Sequence, residues 1–292
     1  MKNNSYHDSA EEILLKFFDK PQSKKEKEII DILNNNPPWP VLYHLSPQRK
    51  FLLSWYSFKK NASLLEIGAG CGALTGLFCD KLKKAVAIEL TKERAEIIKK
   101  RYSDKENLKV LAGNFNDLPL KDKFDYITLI GVLEYQGRYT KGENPYLNFL
   151  KNVKKYLKKN GKLLIAIENK IGLKYLAGGR EDHYGSLFES IENYPSYDGI
   201  KTFTKEELLQ LLKEAGFNKL KFYYPYPDYK LPFFILTDDA LNLNIPISSM
   251  SQIIDYSNPR EFIFNESIFA YSLKKDKILL NFSNSFLVEC QI

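Results

Sequence analysis

The chain predicts an α/β fold built on a doubly wound sheet, and two observations carry that expectation. Strand-length apolar runs alternate with helical periodicity from residue 61 to residue 167, the order of a parallel sheet covered by helices on both faces. The first run, Leu64-Leu65-Glu66-Ile67, passes directly into Gly68-Ala69-Gly70-Cys71-Gly72 with a helix behind it. Glycines in that place form the strand-to-helix turn at which backbone approaches a ligand closely.

Each element has its own signal. Residues 1–60 read as a helical extension: Ser9 caps a helix over 10–19, a second covers 24–33, and Pro47 after Ser46 opens a third that runs to Tyr56. Strands are expected near 63–67, 85–89, 108–112, 124–130 and 161–167, with helices near 73–83, 91–102 and 143–159. Thr204-Lys205-Glu206-Glu207 is a capping box; its helix ends at Gly216, and strands over 217–224 and 282–290 follow. Two insertions, 168–203 and 225–280, interrupt the core beyond the C-terminal ends of strands, where open α/β sheets bind ligands. Both are rich in Tyr, Phe, Pro and Gly and lack strong periodicity, which reads as an ordered substrate cap. The main domain is thus expected over 61–292.

The glycines also satisfy a dinucleotide fingerprint, so alone they indicate an adenosine cofactor and no more. Glu66 decides the expectation. A pyrophosphate over this turn meets repulsion from a carboxylate at the strand end, whereas the sulfonium and ammonium of S-adenosylmethionine are cations that suit it. Glu89 closes the second strand, where a carboxylate accepts from both ribose hydroxyls.

Leu64 to Glu89 resembles the cofactor half of class I S-adenosylmethionine-dependent methyltransferases. The resemblance implies a Rossmann-like sheet of seven strands whose last is antiparallel and inserted between the fifth and sixth. It assigns the cofactor to Glu66, Gly68, Ala69, Gly70, Gly72, Glu89 and Leu90, with Asn114 and Phe115 at the adenine and Gly131 and Glu134 at the methionine end. Asn114 stands where the family usually has an acidic residue; its amide oxygen still accepts from the adenine amine. Residues 39–47, 168–178 and 224–232 look like those of bacterial methyltransferases associated with surface-polysaccharide (capsule and O-antigen) assembly. That implies O-methylation of a sugar hydroxyl in a nucleotide-linked or lipid-linked precursor or at a glycan end. An NAD-linked sugar oxidoreductase or epimerase, and a non-catalytic S-adenosylmethionine-binding module, are the rival readings.

Transfer to a hydroxyl needs a group that removes its proton as the new bond forms. His183, in the glycine-flanked loop Gly178-Gly179-Arg180-Glu181-Asp182-His183, is the expected base, with Asp182 or Glu181 orienting its ring. His44 is the second contender for the base, though it is more simply read as packing beneath Trp39 and Tyr43, and His7 has no role. No metal is expected. The rival is magnesium held by Glu134, Glu168 and Asn169, as hard oxygen ligands in catechol-type O-methyltransferases would hold it.

Composition excludes several classes. No apolar stretch has membrane-spanning length, and Met1-Lys2-Asn3-Asn4-Ser5 leads into no signal core. Cys71, Cys79 and Cys290 have neither metal-ligand nor disulfide spacing, so a reducing cytoplasm is expected. The net charge of +7 suggests nucleic acid, but arginine occurs only at Arg49, Arg94, Arg101, Arg138, Arg180 and Arg260. The lysine run from Lys151 to Lys159 reads as the solvated side of a helix, so no nucleic-acid partner is expected. Asn36-Pro37-Pro38-Trp39 matches the signature of enzymes that methylate base or glutamine nitrogens, where it follows the fourth strand. Lying ahead of the first strand here, it reads as a proline-rich linker.

Overall fold

The structure, a computed structural model, describes residues 10–19, 22–242 and 263–292. The predicted Ser9 cap, His7 and part of the second insertion lie outside the described residues. The core is one eight-stranded sheet: β1 Ser63–Ile67, β2 Lys84–Glu89, β3 Leu108–Ala112, β4 Phe124–Ile130, β5 Leu157–Glu168, β6 Lys219–Tyr226, β7 Phe234–Leu236 and β8 Ser285–Gln291, in the order β3-β2-β1-β4-β5-β8-β6-β7. β1 pairs in parallel with both β2 and β4, and this reversal of strand order opens a crevice beyond their C-terminal ends. β8 inserts antiparallel between β5 and β6, as the resemblance implied.

The eighth strand corrects the expected seven. β7 is only three residues long and extends the edge of β6 from inside the second insertion, too short a run for period-two patterning to reveal. That insertion also contains a helix, α10, at Glu266–Lys275, capped by Asn265.

Helices cover the sheet largely as expected: α4 Thr75–Lys81, α5 Lys92–Arg101, α7 Pro145–Lys155 and α9 Lys205–Glu214. The capping box on α9 is complete: Thr204 Oγ1 accepts from the Glu207 amide at 3.2 Å, and Glu207 Oε2 accepts from the Thr204 amide at 2.8 Å. α7 turns Leu150 and Val153 into the core and leaves Lys151 and Lys155 in solvent.

The N-terminal extension differs most. After α1 (Glu11–Phe18) and α2 (Gln22–Asn34), residues 36–38 link to an unforeseen helix, α3 at Trp39–Leu45, with Pro40 in its first turn where a missing N–H costs nothing. The helix expected from Pro47 to Tyr56 is a 3₁₀ segment ending at Leu52. α1 is pinned to α5 by a buried ion pair, Glu11 Oε1 to Arg94 Nε at 2.8 Å. Arg101 donates from Nη1 to the carbonyls of both His44 and Cys71, tying α3 to the glycine turn.

Candidate active site

The glycine turn is built as its residues require: Gly68, Gly70 and Gly72 have φ of +73°, +56° and +79°. Beyond it lies a cleft of about 900 Å³ of empty space, counting its open mouth, lined by the ends of β1, β2 and β4 and the loop after β3. Of the expected cofactor residues, Gly68, Gly70, Glu89, Leu90, Asn114, Phe115 and Gly131 line it together. Glu89 reaches across the turn, accepting from the Gly70 amide at 2.8 Å and from the Thr91 amide at 3.2 Å. Burial pushes its pKa up, while Arg94 and these amides oppose the shift.

The other expected cofactor residues stand elsewhere. Ala69 packs beneath the turn with Ala87 and Ile98, and Gly72 faces Tyr102 and Ile98. Glu66 points behind the turn and accepts from Thr75 Oγ1 at 2.6 Å, bracing β1 to α4. Burial pushes its pKa up to about 8, so it is neutral at pH 7 and the charge argument drawn from it fails. Asn114 Oδ1 accepts from the Asn116 amide and its Nδ2 donates to the Tyr139 carbonyl, so the side chain also shapes its own loop.

Sequence reasoning missed Tyr43, Arg94, Gln136 and Tyr139 on the cleft wall, which also holds Tyr135 of the segment after β4 and His44, the rival base. Tyr43 and His44 arrive on α3; Pro40 in a first turn was the signal available. His44 does pack edge-on against Tyr43, and its Cε1 also lies 3.5 Å from where a Cβ on Gly70 would sit.

At the far end, against Gly131, lies a buried charged cluster. Glu134 and Glu168 are each 1% exposed. One oxygen from each and a ring nitrogen of His183 lie within 4.8 Å of one another. His183 Nε2 is 3.9 Å from Glu134 Oε1, while its Nδ1 is 2.8 Å from Glu181 Oε1. A carboxylate only accepts, so Nδ1 carries the proton of that bond. His183 is therefore oriented by Glu181. Asp182 instead binds Lys174, Tyr175 and Lys230, which takes it off the expected ring-orienting role. Asn169 also drops out of the expected oxygen trio, because its Nδ2 donates to the Asn281 and Ser283 carbonyls.

Burial works against the charged form of His183, but the carboxylates of Glu134 and Glu181 hold its pKa well above the ordinary value. Burial pushes Glu134 up to about 7, opposed by His183. Glu168 is subject to the same burial, yet Lys230 Nζ at 2.6 Å brings it below the usual range. The three groups act on one another, so the cluster, rather than this histidine alone, is the unit to consider.

Comparison with known proteins places this geometry. The methyltransferase-domain family matches residues 41–221, more than half of the chain and all of the cleft. The chain belongs to that family. An uncharacterized methyltransferase of Staphylococcus carnosus is 34% identical over 182 residues, covering 62% of this chain and 71% of its own length. An uncharacterized protein of Methanocaldococcus jannaschii is 30% identical over 54% of this chain, and the match spans 65% of that protein's length. The ribosomal RNA small subunit methyltransferase A of Fusobacterium nucleatum is 24% identical, covering 76% of this chain and 77% of its own. The methyltransferase solved with the Trm112 activator of Haloferax volcanii superposes with a TM-score of 0.50 at 17% identity, covering 84% and 88% of the two chains, which shows the shared fold.

This methyltransferase takes S-adenosylmethionine as its cofactor, and the cleft fits it. Glu89 keeps lone pairs beyond its bonds to the Gly70 and Thr91 amides, and aromatic and aliphatic side chains wall the cleft around it. When bound there, the cofactor supplies an electrophilic methyl group; the chain's part is to hold it, keep water out and deliver an acceptor. The redox reading is set aside. Among the described residues, no helix is long and apolar enough to cross a membrane.

Proposed function

We propose that this methyltransferase acts on a hydroxyl of a carbohydrate, in a surface-glycan precursor or at a glycan end. The observation that carries the reading is the pair of carboxylate oxygens, Glu134 Oε2 and Glu168 Oε2, buried without a hydrogen-bond partner behind Gly131. Buried acceptors with no donor are costly, and a polyhydroxy acceptor supplies donors. A hydroxyl placed there gives its proton to the cluster as it attacks the methyl carbon.

A second observation supports the surface-glycan reading. Two of the three segments read as similar to surface-polysaccharide methyltransferases, 168–178 and 224–232, meet at this cluster, where Lys230 pairs with Glu168. Arg49, just after α3, donates to the Tyr229 and Lys230 carbonyls. Tyr135 lies edge-on to His183 and also lines the cleft, which puts an aromatic face beside the cluster. Nucleic acid is not proposed as the substrate, since arginine is scarce and Lys151 and Lys155 lie on the solvated side of α7.

The test is transfer from labelled S-adenosylmethionine to nucleotide sugars, lipid-linked glycans, phenols, amines and ribosomal RNA. Label in a sugar, lost in His183→Ala and Glu134→Gln while S-adenosylhomocysteine still binds, supports the reading. Label only in amines or RNA overturns it.

A further inference from the structure

The charge of the cluster is unfinished. Three buried carboxylates (Glu134, Glu168 and Glu181) lie beside Lys174, Lys230 and the more exposed Asp182. Asp182 takes both lysines and Glu168 takes Lys230 a second time, so the ammonium groups are already committed. Among the described residues, Glu134 meets no lysine or arginine within ion-pair distance; it faces His183 at 3.9 Å, beyond hydrogen-bond reach.

Three donor atoms nevertheless converge. Glu134 comes from the turn after β4, Glu168 from the end of β5 and His183 from the cap loop. The second oxygen of each glutamate has no partner although both residues are 1% exposed. The histidine's outer nitrogen is fixed by Glu181 at 2.8 Å, which leaves Nε2 as the atom turned to the two carboxylates. A carboxylate that holds one imidazole nitrogen while the other faces two acidic oxygens is the arrangement by which metal-bound histidines are oriented. The spacing suits a small ion, since ligands about 2.1 Å from one centre lie roughly 3–4 Å apart.

We propose that Glu134, Glu168 and His183 bind a divalent cation of the kind that takes mixed carboxylate and imidazole ligands, such as manganese or magnesium. The cation gives His183 Nε2 and both free carboxylate oxygens a partner. It also ties the cap loop to the ends of β4 and β5, next to Gly131. The proposal rests on the preceding reading only in placing this cluster at the acceptor end of the cleft.

Manganese is the probe. Protein stripped with EDTA and exchanged into metal-free buffer is titrated with MnCl₂, and free ion is read by its paramagnetic resonance signal. One saturable site per chain is expected, with affinity at least ten-fold weaker in Glu168→Gln and His183→Gln. Glu181→Gln, which keeps the ring partner but loses its charge, is expected to weaken binding about ten-fold or more. S-adenosylhomocysteine affinity measured on each variant separates lost ligands from lost folding.

Absence of saturable binding of manganese, magnesium or zinc by wild-type protein that still binds S-adenosylhomocysteine overturns the proposal. So does a site that survives both ligand substitutions. Sugar methylation unaffected by stripping and without a bound ion overturns the cation while leaving the function standing. A bound ion with label passing only to other acceptors does the reverse.

Discussion

Replacing Gly131 with alanine tests the wall between cleft and cluster. Gly131 has φ +70°, and a Cβ there meets the Tyr229 hydroxyl at 2.8 Å. That hydroxyl is buried and donates to Glu168 Oε1 at 3.1 Å. Two costs therefore add. The left-handed backbone costs an alanine about 1–2 kcal/mol. Displacing the tyrosine from its buried bond costs about 1–3 kcal/mol more. Gly185 is the internal control, with φ +69° and nothing within 4 Å of its added Cβ, so its alanine variant bears only the first cost. In a Tyr229→Phe background the nearest ring atom is Cζ at 3.6 Å, an ordinary contact, so Gly131→Ala there should cost no more than Gly185→Ala. The assay is denaturant unfolding of the wild type, the three single variants and the double mutant, with coupling read from the cycle. Equal losses for Gly131→Ala and Gly185→Ala, or no coupling between Gly131 and Tyr229, would refute the packing described here.

Other outcomes follow from the same geometry. Arg94→Ala removes the guanidinium from the buried Glu11 ion pair and should lower unfolding free energy by about 3–5 kcal/mol, read by urea titration. Glu66 has a folded pKa of about 8 against an ordinary 4.5, so its contribution is fully present below 4.5 and is lost as pH rises through 8. Glu66→Gln keeps the neutral side chain and an acceptor for Thr75; it should flatten stability between those pH values, and an unchanged slope would contradict the assignment. Thr204→Ala removes the cap of α9 at an expected cost of about 1 kcal/mol, measured by the shift in thermal midpoint.

The core strands were legible because each is a buried apolar run bounded by turn residues, as β1 and β4 show. β8 was legible only through family resemblance, since nothing local says that a final strand turns back between two others. Short elements escaped: β7 is three residues long, and α3 hides behind a run of prolines. The cleft gathers Gly68, Gly70 and Glu89, positions where residue type and place act together. It was misread at Glu66, because a strand-end carboxylate can face either side of the turn and a bond to Thr75 nine residues on decides which. The cluster was seen in parts. Glu134, Glu168 and His183 each stood out, but which of Glu181 and Asp182 holds the ring depends on Lys174 and Lys230, which only the folded chain brings together.

The central claim is that S-adenosylmethionine binds across the glycine turn with Glu89 on its ribose. Calorimetric titration with S-adenosylhomocysteine, with NAD in parallel and Glu89→Ala as control, tests it directly. The account expects saturable S-adenosylhomocysteine binding, no comparable NAD binding, and affinity reduced about 100-fold in the variant through loss of charged hydrogen bonds to two hydroxyls. Preference for NAD, or S-adenosylhomocysteine binding untouched by Glu89→Ala, would contradict it.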